Sequence, residues 1–368
     1  MNRLFRIAIT LGDPGGIGPE IILKSLAALK LPIPTAFLII GIESVIRETA
    51  DKLGINLPME RIKEAGKPLT APGIFLFQPA SPAGRPAEIK TNRFAKFTLR
   101  NEGLTTSRYK VGQNDTTNGR AAFSFIKEGT KLALAKNIDA LVTAPVNKES
   151  ISRASQPFSG HTEYLAQKSR TRKPVMMFVT DQLKVALVTT HIAYKKVSLY
   201  LNQESIMETV LLTDQWLKGY FGITAPRLAV CGLNPHAGES GLFGREEIDF
   251  IQPAVEATKR EGINCAGPFP ADTIFSRAIQ GEFDAVAALY HDQGLIPVKT
   301  LGGWNGAQVT LGLPFIRTAV MHGTAFDIAG KNKADASSMR YALNLAYQLY
   351  QKGHSDKGGL FSLSSARG

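Results

Sequence analysis

Three of the six histidines closely follow apolar runs that predict β-strands. The pairs are 185–190 with His191, 228–233 with His236 and 285–290 with His291. If the strands are parallel, the three imidazoles reach the same edge of the sheet, at the carboxyl ends where functional groups collect. Neutral imidazole is a frequent metal ligand, and three protein ligands leave coordination positions open. The spacing therefore predicts a metal site; the alternative is three unrelated histidines that each cap a strand end or bind a backbone carbonyl.

Carboxylates and lysines stand near these and other predicted strand ends. Asp292 and Glu239 each adjoin a histidine motif, and their position predicts that they orient the imidazoles. Lys299, Asp272 and a bound water are all candidates for a general base, and the residues alone do not choose between them. Lys148 follows another predicted strand, where it suits either an anion or a structural ion pair.

The segment 159–165 is predicted to be a loop that enters a helix, with Thr162 near the amino terminus of that helix. His161 and Thr162 are candidates for holding a polar group of a substrate. The alternative is a helix cap beside a surface histidine. Both interpretations stay open at this point.

A glycine-rich turn, 12–18, links the first predicted strand to a helix that begins near Pro19. Its glycines allow a tight turn whose backbone N–H groups and helix dipole favour an anion. The turn matches neither G-x-G-x-x-G nor a P-loop, so the usual nucleotide fingerprints are missing from it. A plain strand-to-helix turn is the alternative.

Predicted strands alternate with predicted helices along the whole chain, which indicates an α/β fold with a mostly parallel sheet. The strands are expected at 6–11, 35–41, 73–77, 138–143, 175–179, 184–190, 228–233 and 285–290, and the helices at 21–28, 43–53, 118–136, 203–218, 245–261 and 337–350. The strands at 175–179 and 184–190 should form an antiparallel hairpin. The segments 309–313 and 317–321 should lie near the end of the sheet, and 79–116 should form a surface loop or hairpin.

Composition narrows the class of protein. The chain has 368 residues, 44% hydrophobic and 20% charged, which is typical of a soluble globular protein with two domains. It contains no apolar run near 20 residues and no signal peptide pattern, so no membrane partner is predicted. Two cysteines fit a reducing compartment, and the expected location is the cytoplasm.

The formal net charge is +12, and part of the excess is local. Between Arg85 and Lys110, seven Lys and Arg residues stand against two Glu, a net +5. No aromatic-interleaved or helix-turn-helix pattern accompanies this segment, so no nucleic-acid binding is predicted. A solvated basic surface, or attraction of an anionic substrate and cofactor, explains the charge.

Many segments between residues 9 and 338 resemble the 4-hydroxythreonine-4-phosphate dehydrogenase family of pyridoxal phosphate biosynthesis. The segments are ITLGDPGGIGPEI, LVTAPVNKE, GHTEYLA, VTTHIAYKKV, CGLNPHAGESGLFGREEID, GPFPADTIF, ALYHDQGLIPVK, TLGLPFIRT and HGTAFDIAGKNKADASS. The resemblance implies a two-domain architecture like that of isocitrate and isopropylmalate dehydrogenases, with a cleft between the domains. The expected division is 1–148 with 300–368 on the cofactor side, and 149–299 on the metal and dimer side. A homodimer with the active site at the subunit interface is also implied.

The same resemblance assigns residue roles. The metal ligands of the family fall on the three histidines named above. The substrate-binding residues fall on His161, Thr162, Lys299, Gln308 and Arg317. The family usually has asparagine at the position of Gln308, and the loop 301–307 also departs from its pattern. Lys299 and Asp292 are expected to take part in catalysis. The loop 322–331 is similar to the adenosine-binding loop of isopropylmalate and isocitrate dehydrogenases, which assigns His322, Gly323, Thr324 and Asp327 to the cofactor.

The activity implied is oxidation of 4-phosphooxy-L-threonine by NAD or NADP and decarboxylation to 3-amino-2-oxopropyl phosphate. One divalent cation, Zn, Co, Mn or Mg, is expected to assist. The alternatives are a sister dehydrogenase for a phosphorylated sugar acid, 4-phospho-erythronate or threonate, or for a cis-diol acid. A three-histidine zinc hydrolase and a sugar-phosphate binding protein without catalysis are alternatives from other classes.

Overall fold

The computed structural model describes residues 4–80, 109–155 and 157–355. Most of the basic segment 79–116 therefore lies outside the described residues. The chain divides into two compact units, Met1–Lys168 with His322–Arg340, and Ser169–Met321 with Tyr341–Gly368, as far as the described ranges extend. The expected boundaries, after 148 and after 299, come earlier in the chain than these.

The first unit contains five parallel strands in the order β3-β4-β2-β1-β5. They are β1 (Phe5–Thr10), β2 (Thr35–Ile40), β3 (Met59–Ile62), β4 (Gly73–Phe77) and β5 (Ala140–Thr143). Its helices are α1 (Gly18–Ala28), α2 (Glu43–Leu53), α3 (Thr116–Leu134), α4 (Lys148–Ala154) and α5 (His161–Ser169). The central strands β1 and β2 are almost wholly buried, as expected for apolar strands of a parallel sheet covered on both faces.

The second unit contains seven strands in the order β12-β11-β6-β7-β10-β8-β9. They are β6 (Val175–Val179), β7 (Lys184–Leu187), β8 (Leu228–Cys231), β9 (Cys265–Phe269), β10 (Ala285–Ala288), β11 (Ala307–Leu311) and β12 (Ile316–Ala319). Strands β7, β10, β8 and β9 are parallel neighbours. The pairs β6–β7, β6–β11 and β11–β12 are antiparallel, so the predicted hairpin at 175–190 is confirmed.

The helices of the second unit are α6 (Val197–Tyr200), α7 (Gln203–Phe221), α8 (Gln252–Arg260), α9 (Ala271–Ile279) and α10 (His291–Gly302). A π-helical turn, Glu247–Ile251, leads into α8. Helix α11 (Ser337–Ser355) begins in the range of the first unit and continues in that of the second. In the described part of the chain, no helix is long and apolar enough to cross a membrane.

The α/β class and the mostly parallel sheet are confirmed, and most predicted elements form within a few residues of their expected bounds. Five elements were not predicted, and two of them are the short helices α4 and α6; the other three break local sequence rules. They are the short edge strand β3, the strand β9 with Pro268 inside it, and the helix α10 with Pro297 inside it. In α10 the burial of Leu295 and Val298 against the sheet outweighs the helix-breaking tendency of proline and glycine.

Candidate functional site

The three predicted ligand histidines follow three neighbouring parallel strands of the second unit. Strand β10 pairs with β7 on one side and with β8 on the other, both in parallel. His291 opens α10 after β10, His191 follows β7, and His236 follows β8. All three therefore leave the sheet at the same edge, as the sequence predicted from the apolar runs alone.

Two of the three rings lie together. Thr189 donates its backbone N–H and its hydroxyl to the carbonyl of Leu289, at 3.2 and 2.6 Å, which joins the two strand ends. The ring centroids of His191 and His291 are 5.6 Å apart. Two imidazoles on one tetrahedral cation have centroids about 5 Å apart when each metal–nitrogen bond is about 2.1 Å. This pair of rings fits a shared cation.

Asp292 contacts one of the two ring nitrogens of His291. Its Oδ1 lies 2.6 Å from His291 Nδ1. A carboxylate at this nitrogen favours the tautomer with the proton on Nδ1 and the lone pair on Nε2, the arrangement of metal-binding histidines. The predicted role of Asp292 as an orienting partner has the required geometry, although its side chain is 75% exposed.

His236 lies in an unusual backbone segment. Five consecutive residues, His236 to Ser240, have positive φ, between 41° and 80°, and form a left-handed turn. Only Gly238 adopts this region without cost, and each other residue costs roughly 1–2 kcal/mol. Such strain persists only where surrounding structure holds the segment, and it is frequent at functional sites.

Two buried side chains hold this segment. Glu247 Oε1 accepts the backbone N–H groups of Leu233 and Asn234 at 2.7 and 2.8 Å, and its Oε2 accepts Asn234 Nδ2 at 2.8 Å. Gln293, on the first turn of α10, accepts the N–H of Leu289 and donates to the carbonyl of Gly232, both at 2.7 Å. Gln293 thus ties the chain before His236 to the chain before His291.

Within the described ranges, no group of three His, Cys, Asp or Glu side chains has the geometry to hold a metal. The chain brings His191 and His291 together and carries His236 to the same sheet edge in the left-handed turn. Imidazole nitrogens are suitable metal ligands, and the distance between the rings of His191 and His291 fits a shared cation. The ring of His236 does not complete a three-residue metal site with them in the described part of one chain. The three-histidine site stays a prediction.

Arg317 and Gln308, both expected to bind substrate, form one buried network on the antiparallel strands β12 and β11. Arg317 is 3% exposed and Gln308 is 6% exposed. Arg317 Nη1 donates to Gln308 Oε1 and, at 2.9 Å, to the hydroxyl of Thr310. Gln308 Nε2 donates to the Val309 carbonyl and to the Thr310 hydroxyl. Both ends of the Gln308 amide are therefore engaged by the chain itself, and Gln308 orients Arg317.

Lys299 is exposed in the last turn of α10. It comes eight residues after His291, about 12 Å further along the helix at 1.5 Å per residue. Asp272 and Asp292 line an open cavity of about 490 Å³ together with Tyr290 and Gln293. Asp272 therefore remains a candidate base beside the His291 end of the helix.

His161 and Thr162 begin α5 in the first unit, as predicted. Thr162 is 5% exposed, and the His161 ring lies edge-on to Phe158, with centroids 6.1 Å apart. Lys148 reaches the same place, because its Nζ would lie 3.4 Å from a Cβ built on Gly160. The amino terminus of α5 thus has a histidine, a buried hydroxyl, an ammonium group and the Glu163 carboxylate around it.

The predicted cofactor loop packs on the glycine-rich turn of the first unit. The carbonyl of Thr324 accepts the N–H of Ile17 at 3.0 Å, and Gly16 has no room for a Cβ, which would lie 2.9 Å from that carbonyl. Gly15 and Gly16 donate their N–H groups to Asp13. Because these amides bind acceptors of the chain, the geometry favours the plain turn over an anion cradle.

Asp13 is fully buried in that turn. Burial raises its pKa from 3.8 to about 6, and the nearby negative charge of Asp115 acts in the same direction. The N–H of Gly15 and the hydroxyl of Ser150 stabilise the ionised form and so partly offset this rise of the pKa. Around the loop, His322 Nδ1 contacts the Gly323 carbonyl at 3.1 Å, and Gly323 and Asp327 are exposed.

Glu247, Gln293 and Thr310 were not singled out from the sequence. Glu247 has no local signal, since it is one of two successive glutamates in a helical pattern. Gln293 lies two residues after His291, and this proximity to a motif residue is the only feature of the sequence that could indicate its role. Thr310 lies in an apolar run, where no feature of the sequence indicates a role at the site.

Comparison with known proteins gives a consistent result. The family model described as pyridoxal phosphate biosynthetic protein PdxA matches residues 34–346. A D-threonate 4-phosphate dehydrogenase from Pectobacterium atrosepticum is 41% identical over 93% of this chain and 98% of its own length. A 4-hydroxythreonine-4-phosphate dehydrogenase from Desulfosudis oleivorans is 42% identical over 94% and 96%. The crystal structure of a 4-hydroxythreonine-4-phosphate dehydrogenase from Klebsiella pneumoniae superposes with a TM-score of 0.77 at 37% identity, covering 94% of this chain and 100% of that one.

Proposed function

The chain belongs to the PdxA family of pyridoxal phosphate biosynthetic proteins, and we propose that it oxidises 4-phosphooxy-L-threonine with NAD or NADP and releases CO2 from the product. The observation that carries the proposal is the placement of His191 and His291 at one edge of parallel strands, 5.6 Å apart, in a chain that matches this family almost end to end. The product is 3-amino-2-oxopropyl phosphate.

His191, His236 and His291 are the residues that would hold a divalent cation. The cation would supply fixed positive charge that favours ionisation of the substrate hydroxyl and stabilises the negative charge left when CO2 departs. Asp292 keeps a proton on His291 Nδ1, which presents Nε2 as the donor. Three neutral imidazoles suit Zn or Co, and substrate oxygens add affinity for Mn or Mg.

Charged residues of the chain bind the ends of the substrate. Arg317, fixed by Gln308 and Thr310, presents a planar fork of donors to a carboxylate or phosphate. Lys299, about 12 Å along α10 from His291, suits an anionic group distant from the reacting carbon better than the reacting hydroxyl. His161 and Thr162 contribute polar contacts. Because Lys299 is assigned to this distant anionic group, Asp272 is the side chain proposed for the base that takes the hydroxyl proton.

His322, Gly323, Thr324 and Asp327 are proposed to hold the adenosine part of the nicotinamide cofactor, which accepts the hydride. The exposed Gly323 and Asp327 beside the buried Thr324 support this, because the loop presents polar groups on a rigid base. NAD and NADP are distinguished by their relative KM values in the same assay.

A homodimer is proposed as the functional form. Large apolar side chains are exposed in the segments of the second unit that follow β7, β8 and β10; they include Tyr194, Leu242, Phe243 and Ile296. Clustered exposed apolar groups are typical of association surfaces. His236, which does not join the other two histidines within one chain, would then complete the metal site where two copies meet.

The cytoplasm is proposed as the location of the protein. The thiols of Cys231 and Cys265 are free and buried, which fits a reducing compartment.

Oxidation of D-threonate 4-phosphate is the second candidate activity, because a relative of that name is 41% identical to the chain. Both reactions produce reduced nicotinamide, so one absorbance assay covers both. Purified protein with Zn²⁺, Co²⁺, Mn²⁺ or Mg²⁺ is given NAD or NADP and each phosphorylated acid. Turnover of 4-phosphooxy-L-threonine with the higher kcat/KM supports the proposal. Preference for D-threonate 4-phosphate selects the second candidate, and binding without turnover contradicts both.

A further inference from the structure

The left-handed turn that carries His236 lacks a local explanation in the sequence. Four of its five residues, His236, Ala237, Glu239 and Ser240, have a Cβ and still hold φ between 41° and 59°. His236 itself is exposed, so its side chain is not held by packing in a core. The orientation of this ring must come from whatever stabilises the backbone of the turn.

Glu247 is the residue that does so. It is 4% exposed, and its carboxylate accepts two backbone N–H groups and one side-chain N–H at the entrance of the turn. The carboxylate also packs directly on the turn, since a Cβ on Gly238 would lie 2.6 Å from Oε2. A Cβ on Gly232 would lie 3.2 Å from Oε1. The left-handed segment is therefore wrapped around this one buried carboxylate.

The backbone at Glu247 is also irregular. Glu247–Ile251 forms a π-helical turn before α8, and π-turns inside or beside α-helices are frequent at functional sites. The extra residue in such a turn changes the direction of the side chains that precede the regular helix. Here it accompanies a glutamate that is directed inward, beneath the loop that carries His236.

We propose that Glu247 is a positioning residue: its carboxylate holds the left-handed turn that orients His236 toward the metal. The inference rests on the proposed function, in which His236 is a ligand. Glu247 touches neither substrate nor metal and acts only through the backbone of the turn. Without the carboxylate, the turn relaxes toward right-handed conformations and the imidazole leaves its position.

The test is Glu247→Gln, which keeps the size of the side chain. Its amide N–H group stands where Glu247 Oε2 accepts from Asn234 Nδ2, so this hydrogen bond is replaced by two donors that face each other. Chelator-treated full-length protein is titrated with Co²⁺, and the dissociation constant is read from the visible absorbance of the ion. We expect affinity to fall at least 10-fold, the lower end for residues that orient ligands. Glu256→Gln, on the exposed side of α8, is the matched control and should bind Co²⁺ like the parent protein.

Two further variants separate positioning from general destabilisation. In a His236→Ala background, Glu247→Gln should cause no additional loss, because both changes remove the same ligand. Ser240→Gly, which lowers the cost of a left-handed residue, should restore part of the affinity of Glu247→Gln. If Glu247→Gln does not fold, Asn234→Ser removes the side-chain hydrogen bonds to Glu247 and Glu246, keeps both backbone N–H bonds to Glu247, and should weaken Co²⁺ binding in the same direction.

Normal Co²⁺ affinity in Glu247→Gln, or in Asn234→Ser where that variant replaces it, overturns the inference. A full additional loss in the His236→Ala background does so too, since Glu247 would then act independently of His236. If His236→Ala itself binds Co²⁺ normally, the ligand role of His236 fails, and the inference fails with its premise. If His236→Ala weakens binding and Glu247→Gln does not, only the positioning role is lost.

Discussion

Replacing Gln308 by leucine tests the interpretation that this residue orients Arg317. Leucine has a similar volume but leaves the Arg317 guanidinium without one acceptor in a site that is 3% exposed. A hydrogen bond to a charged group contributes about 1.5–3 kcal/mol, and water cannot replace it here. We expect the free energy of unfolding to fall by about 2–3 kcal/mol. Since Arg317 then loses its fixed direction, KM for the phosphorylated substrate should rise more than kcat falls.

The assay combines urea unfolding, followed by circular dichroism, with steady-state kinetics on the same preparations. Gln348→Leu, at an exposed position of α11, is the control and should change neither quantity appreciably. Gln308→Asn, one methylene shorter, should lie between the parent protein and Gln308→Leu. Thr310→Val removes the hydroxyl shared by Arg317 and Gln308, so its effect and that of Gln308→Leu should be non-additive by at least 0.5 kcal/mol, within the usual range of ~0.5–3 for coupled neighbours.

A different result would show that Gln308 contacts the substrate directly, as the family position predicts. In that case Gln308→Leu would raise KM without a change in unfolding free energy, and it would combine additively with Thr310→Val. Either finding would refute the reasoning from the hydrogen-bond network.

Two further predictions concern other buried and exposed carboxylates. Burial raises the pKa of Asp13 from 3.8 to about 6, so between these two pH values the native state binds a proton that the unfolded state has lost. The free energy of unfolding should therefore fall by up to about 3 kcal/mol as pH rises from about 4 to 6, and then level off. Asp13→Asn should flatten this pH profile in thermal unfolding, and an unchanged slope would contradict the prediction. Asp292→Asn should weaken Zn²⁺ binding about 10-fold. This is the low end of the effect expected when a ligand histidine loses its carboxylate partner, because Asp292 is largely exposed. Titration calorimetry on the metal-free protein measures the dissociation constant, and equal affinities of the parent protein and the variant would exclude the orienting role.

The sequence predicted the edge of the sheet on which the site lies better than it predicted the shape of the site. Strands such as β2 and β6 are continuous apolar runs, because both faces of their sheet are buried. Residues that follow such runs must appear at the carboxyl edge, so the placement of His191 and His291 could be derived from spacing. Helix α10 could not, because its first turn has glycine and its second turn has proline, and only tertiary burial favours it.

The left-handed turn shows why the rest required coordinates. Among residues 236–240 only Gly238 favours positive φ, so local preference predicts at most one left-handed residue there. The conformation depends on Glu247, which is 13 residues from Asn234 along the chain. Propensity and periodicity describe neighbours within a turn or two, and they carry no information on a contact at that distance.

Apart from the contact between Asp292 and His291, the contacts that hold the chain around the histidines are non-local in this sense. The ends of β7 and β10 are joined by Thr189 and Leu289, 100 residues apart, and Gln293 reaches Gly232 across 61 residues. None of the four residues that make these bonds is a predicted ligand of the metal or the substrate. It follows that substitutions which leave every ligand histidine intact can still abolish the site. A chain that kept the three histidines but lost Gln293 or Glu247 would retain the family motif in its sequence and lose the geometry that makes the motif useful.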